Sequence, residues 1–237
     1  MFLTTWKIKI KKMIIGISID GVLRDLFGKI EETHDKYFSS EDKEPIVVVD
    51  YDLEKWITFP EEETQQSELG FDPNFNETDF IESEKTTELV STKTTTTIDE
   101  FLYEKCALEI FGYANESVSS AMETLNQLII DNPEHEFIII SREGGLAVPS
   151  TLFFLSKNKC TCPNIKFVKE YSKVWDYVDV MVTDHPKIIN NKLSISKINI
   201  VIDKDFNKKT TQSCIRIKSI KEIDSDFLKK VNEERFN

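Results

Sequence analysis

Residues 13–19 read Met-Ile-Ile-Gly-Ile-Ser-Ile and run directly into Asp20-Gly21. An apolar run this short, without polar alternation, predicts a strand buried on both faces, as inside a parallel sheet. The Asp-Gly that follows marks a turn. The same grammar recurs at 137–140 (FIII, closed by Ser141), 165–168, 177–182 (YVDVMV, leading into Thr183-Asp184) and 198–202 (INIVI, closed by Asp203). Helices are expected over 22–37, over 117–130 with Asn132-Pro133 as the stop, over 150–157 with Ser150 as its cap, and over 220–231. Residues 99–112 (DEFLYEKCALEIFG) predict an amphipathic helix ended by Gly112. Residues 46–50 (IVVVD) predict a further strand, with a short helix over 51–59. Short apolar strands alternating with helices predict an α/β doubly wound parallel sheet. Such sheets bind ligands beyond the carboxyl ends of their strands, where Asp20, Ser141 and Asp184 fall.

The chain has 237 residues and a net charge of −12. Twelve acidic residues lie between 60 and 100 against Lys85 and Lys93, so this stretch carries ten of the net negative charges. That balance argues against nucleic-acid binding, which needs a basic surface. From residue 60 to about 97 the pattern is Glu-, Thr- and Ser-rich, yet it holds Phe71, Phe75, Phe80 and Ile81. Such a composition buries too little apolar surface to fold unaided, and the phenylalanines suit docking onto something else. The four cysteines, Cys106, Cys160, Cys162 and Cys214, do not complete a zinc set and read as reduced thiols. No apolar run approaches the roughly 20 residues that span a bilayer, and residues 1–12 lack the apolar core of a signal peptide. The expected setting is the reducing cytoplasm, with no membrane partner. His34, His135 and His185 are expected at the surface. Trp6, Trp56 and Trp175 are expected as packing anchors.

Four short segments occur in an order that resembles the haloacid-dehalogenase-like (HAD) superfamily, closest to its 5′-nucleotidase (deoxyribonucleotidase) branch. Residues 14–23 (IIGISIDGVL) resemble its first motif, a strand followed by Asp-x-Asp-Gly. Residues 138–141 (IIIS) resemble the second, Lys173 suits the third with Lys169 as a competing choice, and 180–184 (VMVTD) resemble the fourth. The resemblance implies a HAD-like core over 13–27 and 98–208, with a cap-position insertion over 28–97. A basic arm over 1–12 and a C-terminal strand and helix over 209–237 would flank them. It also implies a chemistry. One Asp attacks phosphorus and binds Mg²⁺, and the next acts as acid and base. A Ser and a Lys hold phosphoryl oxygens, and an acidic pair fixes the metal.

This sequence departs from that plan where it matters most. The nucleophile position is Ser18, whose hydroxyl is un-ionised at neutral pH, and the first acid of the fourth motif is Thr183. The expected site is therefore degenerate: Ser18, Asp20, Ser141 and Lys173 for chemistry, and Asp20 with Asp184 as a weak Mg²⁺ pair. The cofactor expected is none, or weakly bound Mg²⁺. Loss of one member of a catalytic unit costs on the order of 10⁶ in rate. The function expected is that of a pseudoenzyme serving as an interaction or structural protein, with protein partners met through the acidic segment 61–97. Residues 50–53 (DYDL), 101–113 (FLYEKCALEIFGY) and 150–157 (STLFFLSK) look similar to HAD-like proteins of tailed phages, and that resemblance implies a virion (tail) component in a host cell. The competing reading is an active Mg²⁺-dependent 5′-nucleotidase.

Overall fold

The computed structural model describes residues 12–38, 44–60, 96–210 and 212–234, and the backbone of 62–65 and 91–94. The basic arm, apart from Lys12, and most of the acidic segment, including Phe71, Phe75 and Phe80, lie outside the described residues, as does Trp6.

Six parallel strands form the sheet: β1 (Ile14–Ser18), β4 (Glu136–Ser141), β5 (Ile165–Phe167), β6 (Val180–Thr183), β7 (Ile198–Ile202) and β8 (Ile215–Ile217). Their spatial order is β5-β4-β1-β6-β7-β8. Counted along the chain, that is 3-2-1-4-5-6, the order of doubly wound, Rossmann-like sheets. The order reverses between β1 and β6, so the crevice of the fold opens at the ends of those two strands. A two-stranded antiparallel ribbon, β2 (Glu62–Gln65) with β3 (Ser91–Thr94), stands apart from it.

The apolar runs are buried on both sides, as their composition requires. Ile15, Ile17 and Ile19 pack with α2 (Ala121–Asp131), α3 (Ala147–Lys157) and α5 (Ser225–Glu234) through Leu125, Phe154, Leu228 and Val231. On the opposite face Ile138, Ile140 and Met181 meet Val174, Trp175 and Ile188, from the 3₁₀ turn 171–176 and from α4 (Pro186–Ile189). Gly16 belongs to this second face. A β-carbon there would come within 2.8 Å of Met181 and 2.7 Å of Val178, so the middle of β1 has no room for a side chain. Among the described residues no helix is long and apolar enough to cross a membrane.

A second core sits beyond the strand ends. It joins α1 (Leu26–Phe38), the segment 44–60 and the helical stretch 100–112 through Ile30, Val48, Ile57, Phe101, Ile110 and Phe111. Here several expectations need correction. Residues 46–50 form no strand. Val47 and Val49 are exposed and Val48 is buried, with Ile46 packed against the same core, so the β-branched run anchors an extended segment. The short helix expected over 51–59 contracts to one 3₁₀ turn at Leu53–Lys55. The helix expected over 99–112 is two π-helical turns, Glu100–Lys105 and Leu108–Gly112. Its buried hydrophobic residues come as doublets, Phe101-Leu102, Cys106-Ala107 and Ile110-Phe111. The five-residue step between the first two is too long for 3.6-residue turns, and the i→i+5 bond from Cys106 N to Phe101 O accommodates it. The first helix begins at Leu26, because residues 19–24 close a tight turn in which Leu23 and Arg24 N–H both donate to Ile19 O. Ser150 caps nothing: α3 already starts at Ala147, and the Ser150 hydroxyl donates back to Leu146 O. The three histidines are buried, not superficial. The sheet also continues past residue 208, since β8 pairs with β7.

Candidate functional site

A cleft of about 420 Å³ opens at the reversal point. Ser18, Asp20 and Ser141 line it, together with Tyr51 from the insertion and Arg142, Glu143, Tyr171, His185 and Lys187 from the strand ends. Asp184 adjoins it through two contacts. Its Oδ1 accepts the Tyr51 hydroxyl at 2.7 Å. Its carboxylate also lies so close to Gly21 that a β-carbon there would be 1.9 Å from Oδ2. Gly21 has φ +73°, so both the turn geometry and the approach of Asp184 demand glycine. The turn after β1 and the end of β6 are thereby pressed together.

Arg24 organises the β1 side. The tight turn 19–24 folds it back over Asp20, and its guanidinium is fully buried. Nε and Nη2 meet Asp20 Oδ1 at 2.8 and 2.7 Å. Nη1 donates to Phe111 O and to Thr151 Oγ1, both at 2.9 Å, and Nη2 pairs with Glu143. The rings of Phe111 and Phe154 lie 5.0 and 5.5 Å from the guanidinium carbon. Burial works against the charge of Arg24, but Asp20 and Glu143 more than offset it, and its pKa rises. Burial and the nearby Asp20 charge hold the carboxyl of Glu143 well above the usual carboxylate range, against the pull of Arg24. Arg24 therefore ties the β1 turn to the β4 loop, to α3 and to the second core.

The β6 side is aromatic. His185 is buried between Tyr51, stacked at 4.0 Å, and Tyr171, tilted at 4.2 Å. Its Nδ1 accepts from Lys187 N, which fixes the ring. Burial, with Arg142 and Lys187 adding to it, depresses its pKa to about 3, so the ring is neutral. Burial lifts Asp184 to about 7, with the Tyr51 hydrogen bond opposing the rise. Burial and the charge of Asp184 keep the Tyr51 phenol well above its ordinary pKa, so it acts as a donor.

No protein-family model and no curated protein sequence matches this chain.

The sequence expectations divide cleanly. Ser18, Asp20 and Ser141 share the cleft and Asp184 abuts it. Lys173 is exposed, on the 3₁₀ turn 171–176, with its ammonium 3.7 Å from Asp176, and Lys169 is also exposed. Neither lines the cleft; the cations that do are Arg142, set over the Tyr171 ring at 4.0 Å, and Lys187. Arg142 could have been found as the residue directly after Ser141. Lys187 and Tyr51 carried no such signal.

The carboxylates do not fit a Mg²⁺ ion. Such an ion wants several free oxygen ligands. Asp20 is engaged by a buried guanidinium, Asp184 accepts a phenol and holds its own proton near neutrality, and the remaining two positions are Ser18 and Thr183. The cleft can still bind an anion. Ser141 Oγ and His185 Nε2 are buried and find no partner among the described residues, and the lining carries Arg142 and Lys187. Buried polar atoms left this way call for an explanation, and a bound ligand is one.

Proposed function

We propose that this chain is a HAD-like pseudoenzyme that serves as an interaction or structural protein in a larger assembly, a phage virion (tail) being the setting its resemblance favours. One observation carries the reading. Asp20, the residue that would act as acid and base, is locked onto the buried Arg24, next to a nucleophile position occupied by Ser18. An acid–base group has to exchange protons with the reacting oxygen. Here Nε and Nη2 of Arg24 both occupy Asp20 Oδ1, at 2.8 and 2.7 Å, so that oxygen is turned to the guanidinium and not to a reacting group. Ser18 has no histidine placed to activate it: His185 donates nothing to it and is held by Lys187 and two tyrosines.

The test is release of phosphate from nitrophenyl phosphate and deoxynucleotides in the presence of Mg²⁺. The expected result is none above background. Turnover near the common enzyme range of about 1–10³ s⁻¹ would sink the reading and favour the active nucleotidase. The double variant Ser18→Asp, Thr183→Asp sharpens it. Because Arg24 still occupies Asp20, these two carboxylates alone are expected to restore little turnover. Full rescue would show that Asp20 is free to act. A second reading, anion binding without turnover, is favoured by the unpartnered Ser141 hydroxyl. Saturable phosphate binding that weakens in Ser141→Ala would support it.

A further inference from the structure

On the outer side of the second core, away from the cleft, an open groove of about 470 Å³ runs between α1 and the π-helical stretch. Its apolar part is unusual for a surface. Leu108, Tyr113 and Phe153 are 51%, 53% and 39% exposed, and the Tyr113 and Phe153 rings meet edge to face at 5.2 Å. The wide π turn Leu108–Gly112 presents Leu108 outward, and short π segments often mark functional sites. Gly112 lets the two sides close, since a β-carbon there would sit 2.8 Å from Leu108 and 3.2 Å from Phe153.

The polar part is lysine-rich. Lys29, Lys36 and Lys105 line the groove, and Lys157 lies over the Tyr113 ring at 5.6 Å. Lys36 is matched by Glu109 at 2.8 Å and Lys29 by Glu32 at 2.7 Å. Lys105 donates to Thr96 Oγ1 and Lys157 to Ala114 O, and among the described residues neither has an ion-pair partner. The groove and its rim thus hold two cations without an ion pair among the described residues, Lys105 in the lining and Lys157 beside it, next to the exposed Leu108, Tyr113 and Phe153.

We propose that this groove is the docking site of the chain's own acidic segment, residues 66–90. The sequence of that segment is complementary: seven acids against Lys85, with Phe71, Phe75, Phe80 and Ile81 among them. The route of the chain agrees. It runs out along β2 to Gln65 and returns along β3 from Ser91, and then reaches Thr96, which holds Lys105 at 2.9 Å. The base of the ribbon is therefore at the lip of the groove. Twenty-five residues can reach roughly 40 Å out and back, and tethering gives the segment a high effective concentration at a nearby site. The proposal stands whether or not the cleft turns over a substrate.

The experiment is zero-length carbodiimide cross-linking of the full chain, prepared as an equal mixture of unlabelled and ¹⁵N-labelled protein and read by mass spectrometry. Amide links are expected from Lys105 or Lys157 to acids within 66–90, inside single isotopic copies, and severalfold fewer at high salt. In Leu108→Ser with Tyr113→Ala, both exposed positions, those links should fall severalfold. The Lys36–Glu109 link should persist and report an intact fold. Three results would overturn the proposal: no links from Lys105 or Lys157 while Lys36–Glu109 forms, links indifferent to the double substitution, or links chiefly between isotopic copies. The last would assign the groove to a second copy of the chain.

Discussion

The two acids that flank the reversal of the sheet, Asp20 beyond β1 and Asp184 beyond β6, are held by opposite means. Asp20 is held against a buried guanidinium with four protein partners. Asp184 is held by a neutral phenol and keeps its proton to about pH 7. One side of the cleft is a fixed charge network and the other is an aromatic stack with a titrating acid beneath it. Equivalent positions in the topology thus do not share a chemistry. What differs is the residue that the neighbouring segment sends in: Arg24 from the β1 turn, Tyr51 from the insertion. Each carboxylate is engaged, Asp20 by Arg24 and Asp184 by Tyr51.

The largest effect is expected on the charged side. Arg24→Met leaves Asp20 and Glu143 without their cation, and breaking one partner of a buried pair costs about 3–5 kcal/mol. A urea midpoint should show it. Arg24→Lys should recover only part, because one ammonium cannot reproduce a fork that serves Asp20, Glu143, Phe111 O and Thr151 together. A loss below about 1 kcal/mol in Arg24→Met would mean that the network is ornamental and that Asp20 is freer than argued above.

The aromatic side should respond to pH. Asp184 has a folded-state pKa of about 7, above its ordinary value of about 3.9. The folded state binds its proton more tightly, so this group withdraws stability as pH rises between about 4 and 7. His185 does the reverse: its folded value of about 3 lies below the ordinary 6.5 or so, and it withdraws stability as pH falls through that window. Each spans about three units, on the order of a few kcal/mol, and the two slopes oppose one another. Asp184→Asn should therefore gain on the parent protein as pH rises from 4 to 7. His185→Asn, which keeps an acceptor for Lys187 N, should gain on the parent as pH falls from 6.5 to 3. Melting temperatures across pH 3–8 would check both, and difference curves of the same sign would break the contrast.

Gly21 joins the two sides and separates their contributions. Gly21→Ala meets a positive φ, about 1–2 kcal/mol for an L-residue, and a β-carbon 1.9 Å from Asp184 Oδ2. A loss of at least about 2 kcal/mol is expected in all. Adding Asp184→Ala should return the steric part and leave the backbone part. Strict additivity of the two single changes would show that the contact does not matter.

Legibility of the sequence tracked burial. β1, β4, β6 and β7 were readable because each is a near-continuous apolar run, and the acids and serines at their ends followed from the topology. Ser18, Asp20 and Ser141 reach the cleft for that reason alone. What failed is what the second core decides. The run 46–50 has the composition of a strand, but no strand pairing receives it, and Val48, with Ile46 beside it, packs on the second core. Residues 99–112 carry helical apolar content whose five-residue step only an i→i+5 turn resolves. Arg24 was invisible because a charged residue one turn past a strand reads as solvated, and only the packing of 19–24 against Phe111 and Thr151 buries it. His185 misled for the same reason, as nothing local announces that Tyr51 and Tyr171 will enclose it.

The smallest effect expected is at Lys173, and it bears on the cleft directly. The family resemblance would make this lysine the phosphoryl cation, whereas its ammonium faces solvent beside Asp176. Exposed pairs of that kind contribute about 0–1 kcal/mol, so Lys173→Ala should leave stability within about 0.5 kcal/mol of the parent protein. Lys187 stands in the cleft lining on the aromatic side, 5.8 Å from the Tyr171 ring centre. If the cleft holds an anion, Lys187→Ala should weaken phosphate binding and Lys173→Ala should not. Titration of both variants with inorganic phosphate at two salt concentrations decides the matter, because the affected contact should also lose salt dependence. The opposite ranking would mean that the 171–176 turn swings inward on binding and that the sequence placed the cation better than the folded chain does.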